Sequence, residues 1–580
     1  MIVTRRSPET KTKASRAVLF AVAALVAATF VVRLSDPDPW WHLATGRWII
    51  EHHAIPSTDP FSFTVAGADW RAVDWLADLS LYGMWRLAGD AGIGVLMALG
   101  AFGLLALLGL TARRLGVATA PAASLVACVG LLVQGRYSMG RPMTLGAVAL
   151  AATIYLCTRS WWAEARAQGD GRNQGGRGDR SVLVAPIVVV VWTFIHSTAI
   201  LGLAVLGIFA LSALVTRHAA RVRFVAATLA AFAACALLPS ARGRFAVAFG
   251  VEHSSLAMAL TREWERVSLG SRQYWLPLLA VTAAVVVILR ARELRRAALP
   301  YLGCVALGAA VASRFERNLY EAIVLSAPAC ALALERAHAA LVARGLRTAS
   351  LLVVLVVGAL VPAVHLRLAP AEFDTRFGVG PADGAVPTET LAVLGTLPPG
   401  RILNDCTTGG WLIWQRIPVY CDGRTVALYH EDDVQRLFVP LYAKAEVIDA
   451  VADHYDIHYA LTRFDSDFQD TLMRAPSSWV PLAYDREHAL FVRRRFADGL
   501  PREVVPLDEL RFTNDARWLD PWYAAIVGDP ARADRLQAEV VRAATLGPTS
   551  RTLHAALHYL ARAQPALAER LKQALTAATK

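Results

Sequence analysis

Eleven apolar runs constrain the fold of this 580-residue chain more than any other feature. Each has roughly 15–20 residues, about the length that a helix needs to cross the hydrocarbon core of a bilayer. The charged fraction of 18% and the mean hydropathy of +0.40 agree, because soluble domains are nearer a quarter charged. The sequence therefore predicts an α-helical polytopic membrane protein with about 11 transmembrane helices. The runs are residues 17–32, 91–110, 118–133, 143–157, 182–195, 198–215, 224–238, 274–289, 297–312, 319–334 and 350–366.

The distribution of Lys and Arg predicts the orientation of these helices. If the N-terminus lies in the cytoplasm and the runs alternate, six short cytoplasmic segments carry 22 Lys and Arg, and the longer outward loops carry far fewer. This positive-inside pattern places the C-terminus outside the cytoplasmic membrane. It also explains the formal net charge of +12, and no basic face interleaved with aromatic residues indicates nucleic acid. The six segments are residues 1–16, 112–117, 159–180, 217–223, 290–296 and 335–347.

Beyond the last apolar run, the composition becomes that of a soluble domain. Short β-like runs bounded by Gly, Asp and Asn alternate with helical patterns such as residues 432–455, which predicts an extracytoplasmic α/β domain. An Ala/Leu/Arg-rich terminal segment with Pro and Gly breaks predicts helical hairpins. The expected domains are residues 1–366 (transmembrane), 367–500 (α/β) and 501–580 (helical hairpins), and the β-like runs are residues 401–403, 411–414, 418–421, 459–462 and 489–493.

The first outward loop begins with two carboxylates, Asp36 and Asp38, on either side of Pro37. Such a pair could hold a divalent cation, or one member could act as a general base while the other positions it. The alternative is structural, since both could be turn residues that cap a helix beginning near Pro39. Because the pair directly follows the first apolar run, we expect this loop to be the reactive edge of the protein.

Further polar residues fall on the same side of the predicted topology, in separate segments. Arginines retained where Lys and Arg are otherwise avoided suggest a phosphate ligand, which suits the planar guanidinium fork. His196 could bind phosphate or a metal, or could be a packing residue. We expect these residues to converge on one site. Asp59 and Glu263 are the additional catalytic candidates, and His42, Arg141, His196, Arg314 and Arg317 are the substrate-binding candidates.

Five tryptophans lie in or close to the first outward loop. They could stack on a sugar, but an aromatic belt at the membrane interface is the default interpretation. They are Trp40, Trp41, Trp48, Trp70 and Trp75.

Cys406 and Cys421 are the only cysteines outside the apolar runs, and they are fifteen residues apart in neighbouring β-like segments. A location outside the cytoplasm permits a disulfide bond. We therefore expect these two residues to be paired. The other five cysteines are expected to be small packing residues.

Several short motifs together resemble a known family. The segment from Asp36-x-Asp38 through Trp41-His42 to Asp59-Pro60 is similar to the first outer loop of multi-pass bacterial proteins of the C-type (GT-C) glycosyltransferase superfamily. The usual family loop has Gly where this chain has His53. Further matching motifs are Arg141-Pro142, Trp192 with His196, Glu263-Trp264, Arg317-Asn318, Gly409-Gly410 and Asp422-Gly423-Arg424.

The resemblance implies an enzyme that transfers a sugar from a polyprenyl-phosphate-linked donor, with an acidic residue of the first outer loop at the catalytic centre. The acceptor would be a lipid, a glycan or a protein at the outer face of the cytoplasmic membrane. The one possible cofactor is a divalent cation held by the acidic pair. The alternative is a non-catalytic membrane scaffold or lipid/glycan carrier with an extracytoplasmic binding domain. A secondary transporter fits less well, because the sequence has no related halves and few charges in mid-span.

Overall fold

A computed structural model of the chain describes residues 9–169, 179–238, 241–242, 267, 274–368, 376–382, 384–463, 466–473, 475, 477–484, 488–500 and 565–578. Most of these residues are helical, and one four-stranded sheet lies in the C-terminal part of the described chain. The helices up to residue 368 are α1 (Glu9–Ala28), α2 (Asp38–His52), α3 (Trp75–Ala88), α4 (Asp90–Arg114), α5 (Thr119–Tyr137), α6 (Met143–Gly169), α7 (Ala185–Thr193), α8 (Ile200–Val215), α9 (Arg221–Leu237), α10 (Trp275–Arg290), α11 (Arg292–Arg314), α12 (Leu319–Ala343), α13 (Arg347–Leu355) and α14 (Val361–Leu368).

Seven helical segments in the described part of the chain are long and apolar enough to cross a membrane, which agrees with a membrane protein. The other four predicted runs are also helical and coincide with α1, α7, α9 and α10, but they do not reach both the length and the apolar composition. The count of eleven spans therefore stays a prediction. The seven segments are Asp90–Arg114, Thr119–Tyr137, Met143–Ala163, Ser197–Val215, Arg292–Arg314, Glu316–Ala343 and Arg347–Val364.

Contacts divide the chain into two compact units. The first, here called the helical unit, consists of Met1–Leu34, Thr45–Ile55 and Ala72–Gly380. The second, here called the α/β unit, consists of Ser35–Ala44, Pro56–Arg71 and Pro381–Lys580. Two pieces of the first outward loop therefore belong to the same unit as the sheet, although they precede it by more than 300 residues in the sequence.

Small residues allow close approach of helices in the helical unit. A Cβ atom added to Gly130 on α5 would lie 2.5 Å from Val26 of α1 and 3.0 Å from Leu105 of α4. Three helices therefore meet at this position, and no side chain larger than hydrogen fits there. His53 has a φ angle of +52°, in the left-handed region that favours glycine. Glycine, which the family resemblance implies at this position, would adopt this angle without strain.

The α/β unit contains a mixed sheet with strand order β1-β2-β4-β3. β1 and β2 pair in parallel, and β4 pairs antiparallel with both β2 and β3. All six residues of β4 are buried, and four of them, Ala489, Leu490, Phe491 and Val492, are apolar. The elements are α15 (Thr388–Leu394), β1 (Arg401–Asn404), α16 (Cys406–Trp414), α17 (Thr425–Leu428), α18 (Glu431–Asp433), α19 (Ala445–His454), β2 (Ile457–Arg463), α20 (Asp467–Met473), β3 (Trp479–Tyr484), β4 (His488–Arg493) and α21 (Pro565–Ala578).

The structure corrects two of the predicted strands. Residues 411–414 are the last turn of α16 and do not form a strand. Residues 418–421 form only an isolated bridge, between Val419 and Ser62. The expected helical hairpins at residues 501–580 lie outside the described residues, apart from α21.

Candidate functional site

The acidic loop, residues Asp36 to Asp38, belongs to the α/β unit and leads into α2. Asp36 is only 4% exposed, and its Oδ1 accepts the backbone N–H of Asp38 at 2.9 Å. A short side chain that accepts a backbone N–H two residues later is the geometry of a helix start, where first-turn N–H groups lack helical partners. Asp38, the first residue of α2, is half-buried. The capping interpretation therefore holds for Asp36 and leaves a chemical role open to Asp38.

Two glycines of the α/β unit lie against the acidic loop. A Cβ atom at Gly410 would lie 2.5 Å from the carbonyl oxygen of Pro37. A Cβ atom at Gly423 would lie 2.5 Å from Oδ1 of Asp38. The motifs Gly409-Gly410 and Asp422-Gly423-Arg424 therefore lie against the acidic loop within the α/β unit.

Aromatic side chains fix the start of α2 within this unit. Trp40 is 1% exposed and packs edge-on against Trp411, with ring centroids 4.5 Å apart. Trp41 stacks on His42 at 3.5 Å, and His42 is buried. Trp70 is also buried. The membrane-belt interpretation is therefore wrong for Trp40 and Trp70, which pack inside protein.

Asp59 lies in a buried ion-pair network. Nη1 of Arg424 donates to Oδ1 of Asp59 at 2.7 Å, and Nη2 and Nε of Arg424 donate to the two oxygens of Asp422 at 2.7 and 2.8 Å. All three side chains in these ion pairs are 0% exposed. Asp59 also accepts the backbone N–H groups of Phe61 and Ser62, both at 3.1 Å. This carboxylate is engaged within the protein, so its environment favours a structural role over the catalytic one considered from the sequence.

Aromatic rings complete the environment of Arg424. Its guanidinium lies 4.5 Å from the ring centroid of Trp70 and 5.1 Å from that of Phe61. Burial alone would lower the pKa of Arg424, but the carboxylates of Asp422 and Asp59 outweigh it and raise the pKa above its ordinary value. Arg424 is therefore charged at any physiological pH. It ties residues 56–71 to the rest of the α/β unit.

Cys406 and Cys421 are joined by a disulfide bond, with Cα atoms 4.9 Å apart. The bond connects the first residue of α16 to the residue before Asp422. Asn404 supports the same segment, because its Nδ2 donates to the carbonyl of Cys421 at 2.8 Å. The disulfide therefore lies beside the segment that contacts the acidic loop.

Loss of the disulfide should lower the stability of the α/β unit. Closing a loop of this size contributes about 3 kcal/mol in the chain-entropy model, so Cys406→Ser and Cys421→Ser should each cost about that amount. Pulse proteolysis of the full-length protein in increasing urea measures it, with Cys330→Ala, which is a free cysteine, as the control. Mass spectrometry of protein from its native membrane should show one cross-linked peptide. Two free thiols there would contradict the pairing.

A second group of polar residues lies in the helical unit, where the end of α5 meets the start of α12. The hydroxyl of Tyr137 donates to Oε1 of Glu321 at 3.4 Å, and both residues are buried. Arg136 and Arg317 are the positive charges that act on Glu321. Oε2 of Glu321 has no hydrogen-bond partner within the described part of the chain. Tyr137 and Glu321 were not identified from the sequence, although an ionisable residue inside the apolar run 319–334 is a signal of function.

His196 lies in the connection between α7 and α8 and packs against the start of α6. Its Nδ1 lies 2.8 Å from the hydroxyl of Thr198, and a Cβ atom at Gly146 would lie 3.3 Å from Cβ of His196 and 2.9 Å from Nε1 of Trp192. Gly146 is in the first turn of α6, and Thr144 beside it donates to the carbonyl of Tyr137 at 2.6 Å. The structure therefore brings His196 to the same end of the helical unit as Tyr137.

The four remaining candidates from the sequence are Arg141, Arg314, Arg317 and Glu263. Arg141 is half-buried in the connection between α5 and α6. Arg314 is the last residue of α11, is exposed, and lies 5.2 Å from the ring of Phe315. Arg317 follows in the short turn that leads into α12 and is half-buried. Glu263 lies outside the described residues.

A metal site is not evident in the described residues, which contain no group of three His, Cys, Asp or Glu side chains able to hold an ion. A divalent cation held by the acidic loop therefore stays a prediction from the sequence.

No protein-family model matches the sequence, and no curated protein matches it. Among solved structures, the chain is similar to the oligosaccharyltransferase of Archaeoglobus fulgidus tethered to an acceptor peptide containing the NVT sequon. That match has 11% identity and a TM-score of 0.55, and it covers 94% of this chain and 85% of the other. The apo form of the same protein matches with 11% identity and a TM-score of 0.54, over 77% of this chain and 69% of that one.

A weaker similarity is to ArnT from Cupriavidus metallidurans bound to undecaprenyl phosphate, with 13% identity, 84% and 98% coverage and a TM-score of 0.48. The oligosaccharyltransferase matches show the fold alone, and they confirm the fold that the resemblance of the sequence motifs implied. The chain has a GT-C-like fold, with membrane helices followed by an α/β region.

Proposed function

We propose that this chain, with its GT-C-like fold, is a membrane glycosyltransferase that transfers a sugar from a polyprenyl-phosphate-linked donor to a lipid, glycan or protein acceptor. The observation that supports this most is the similarity to an oligosaccharyltransferase over 94% of the chain. Fold alone does not establish activity, so the proposal also depends on the acidic loop of the α/β unit and, separately, on the arginines of the helical unit.

The acidic loop would supply the general base. In an inverting transfer, the acceptor oxygen attacks the anomeric carbon, loses its proton to a carboxylate, and displaces the lipid phosphate with the bonding electron pair. We assign this role to Asp38, which is half-buried, rather than to Asp36, which is only 4% exposed and whose Oδ1 accepts the N–H of Asp38. Asp36 would then hold the start of α2, and with it Asp38, in place.

The arginines of the helical unit would bind the departing phosphate. Arg141 and Arg317 each offer the planar fork that matches a phosphate group, and negative charge on the lipid phosphate grows in the transition state. Glu321 would orient Arg317 and Arg136 through their electrostatic attraction. His42, His196 and Arg314 complete the proposed substrate-binding set, and Glu263 would provide a second carboxylate.

The proposed location is the cytoplasmic (inner) membrane, with several passes, the N-terminus inside and the C-terminal α/β unit outside. The Lys and Arg bias of the sequence supports this orientation. The α/β unit would then bind an extracytoplasmic acceptor. Within this proposal, its sheet and disulfide provide a stable support for the acidic loop.

Deletion of the gene tests the proposal directly. The unused donor should accumulate as one polyprenyl-linked sugar in the lipid extract of the deletion strain, and membranes containing the full-length chain should consume that species. Mass spectrometry of the extracts measures both. If no polyprenyl-linked sugar changes in amount, the glycosyltransferase proposal fails, and a scaffold or carrier takes its place.

A further inference from the structure

We propose that Gly423 is a positioning residue for Asp38, and that the absence of a side chain at residue 423 sets where the Asp38 carboxylate lies. This inference rests on the proposed function, because it concerns the carboxylate assigned there as the general base. If so, the α/β unit contributes to the reaction by fixing the position of the general base.

The contact is with the end of the Asp38 side chain. A Cβ atom at Gly423 would lie 2.5 Å from Oδ1 of Asp38, 3.6 Å from its Cγ and 3.6 Å from Nε1 of Trp41. Only the 2.5 Å distance to Oδ1 is too short for a non-bonded contact, and the two distances of 3.6 Å are ordinary van der Waals contacts. Gly423 is not among the described glycines with a positive φ angle, so alanine is compatible with its backbone. An alanine at this position would therefore meet one obstacle, the Asp38 carboxylate.

The backbone of residue 423 cannot easily shift away from this contact, because hydrogen bonds fix Asp422 and Arg424 on either side of it. Oδ1 of Asp422 accepts both the backbone N–H and Nε of Arg424, at 2.9 and 2.8 Å. The backbone N–H of Asp422 donates to the hydroxyl oxygen of Tyr429 at 3.2 Å. Cys421, one residue earlier, is in the disulfide bond. The Asp38 side chain has interactions of its own, but it can turn about its rotatable bonds, whereas residue 423 is held on both sides.

Other close glycines in this unit behave differently. A Cβ atom at Gly410 would meet the backbone carbonyl of Pro37, and one at Gly409 would meet the backbone carbonyl of Cys421. Backbone atoms cannot shift without disturbing the fold, so alanine at these positions should destabilise the unit. At Gly423, alanine should instead leave the fold intact and displace a carboxylate.

Gly395 provides the matched control. It lies in the same unit, and the nearest atom to a Cβ there would be the carbonyl oxygen of Ala392 at 3.5 Å, an ordinary contact. Gly395→Ala should leave both stability and activity unchanged. It makes the same chemical change as Gly423→Ala without the clash.

Gly423→Ala should lower kcat with little change in KM for the donor. Displacing a reacting group by about 1 Å can cost on the order of 10²-fold in rate, and we expect a loss of that size. The measurement uses the full-length chain and the polyprenyl-linked sugar fraction that accumulates in the deletion strain. Initial rates are compared across donor concentrations for the wild type, Gly423→Ala, Asp38→Asn and the double variant.

The double variant separates positioning from a general structural defect. If Gly423→Ala acts through Asp38, adding it to Asp38→Asn should change the rate little. Additive losses would overturn the inference, as would a wild-type rate in Gly423→Ala. If Asp38→Asn itself keeps the wild-type rate, the assignment of the base fails as well. A result in which Asp38→Asn is slow and Gly423→Ala is not rejects the positioning role alone.

Folding is checked independently of activity. Should Gly423→Ala make the α/β unit sensitive to proteolysis, the further change Asp38→Ala removes the carboxylate that the new methyl group meets. Resistance to proteolysis should then return to that of Asp38→Ala alone. Failure to recover would show that the clash is elsewhere and would overturn the inference.

Discussion

Asp38→Asn should slow sugar transfer by a factor on the order of 10² to 10⁴, the usual contribution of a general base. Asparagine has nearly the shape of aspartate, so folding and membrane insertion should change little. It does not accept a proton from an acceptor hydroxyl. The measurement is turnover of the accumulated donor by membranes that carry equal amounts of each variant.

Asp36→Asn is the matched control within the same loop. The side-chain oxygen of asparagine still accepts the backbone N–H of Asp38, as Oδ1 of Asp36 does at 2.9 Å, so the helix start is kept. We therefore expect a much smaller loss. A larger loss for Asp36→Asn than for Asp38→Asn would reverse the assignment. If both variants restore a deletion strain fully, the loop is not catalytic and the scaffold interpretation gains support.

The membrane class of the protein could be predicted from the sequence because apolar length is a one-dimensional property. Each of the eleven apolar runs contains a helix in the structure. What the sequence did not reveal is α3 (Trp75–Ala88), which is short and mixes polar with apolar residues. Its start is fixed by tertiary contacts, such as the N–H of Leu76 donating to the carbonyl of Phe194 at 3.1 Å.

The strand prediction at residues 411–414 failed for a physical reason. Four consecutive apolar residues fit a buried strand or a buried helical turn equally well. The deciding signal was upstream, where Asp405 accepts the N–H of Thr407 at 2.9 Å and caps α16. An aspartate just before an apolar segment is a recognisable helix start, so this helix could have been found from the sequence.

The site was predictable in its residue types but not in its pairings. The sequence identified Asp59 as a carboxylate near the reactive loop, but its partner Arg424 is 365 residues away in the chain. Nothing in local spacing indicates such a pair. Gly423 is similar, because its role depends on how close Asp38 comes in three dimensions.

Replacing Arg424 should destabilise the α/β unit more than any other single change considered. Arg424→Met removes the positive charge between Asp59 and Asp422 and leaves two buried carboxylates without their ionic partner. Breaking a buried ion pair on one side costs about 3–5 kcal/mol. Methionine keeps much of the side-chain volume, so the loss reports on charge more than on packing. Pulse proteolysis in urea measures the loss, and for m near 2 kcal/mol/M the midpoint should fall by roughly 2 M.

Two comparisons identify the cause of that loss. Arg436→Met removes an exposed ion pair with Asp433 in the same unit, in which the arginine is 49% exposed, and should cost at most about 1 kcal/mol. Asp59→Asn leaves Arg424 paired with Asp422, so its cost should lie between those of Arg424→Met and Arg436→Met. If Arg424→Met and Arg436→Met shift the midpoint equally, the buried network does not hold residues 56–71 to the α/β unit. The acidic loop would then need a different support.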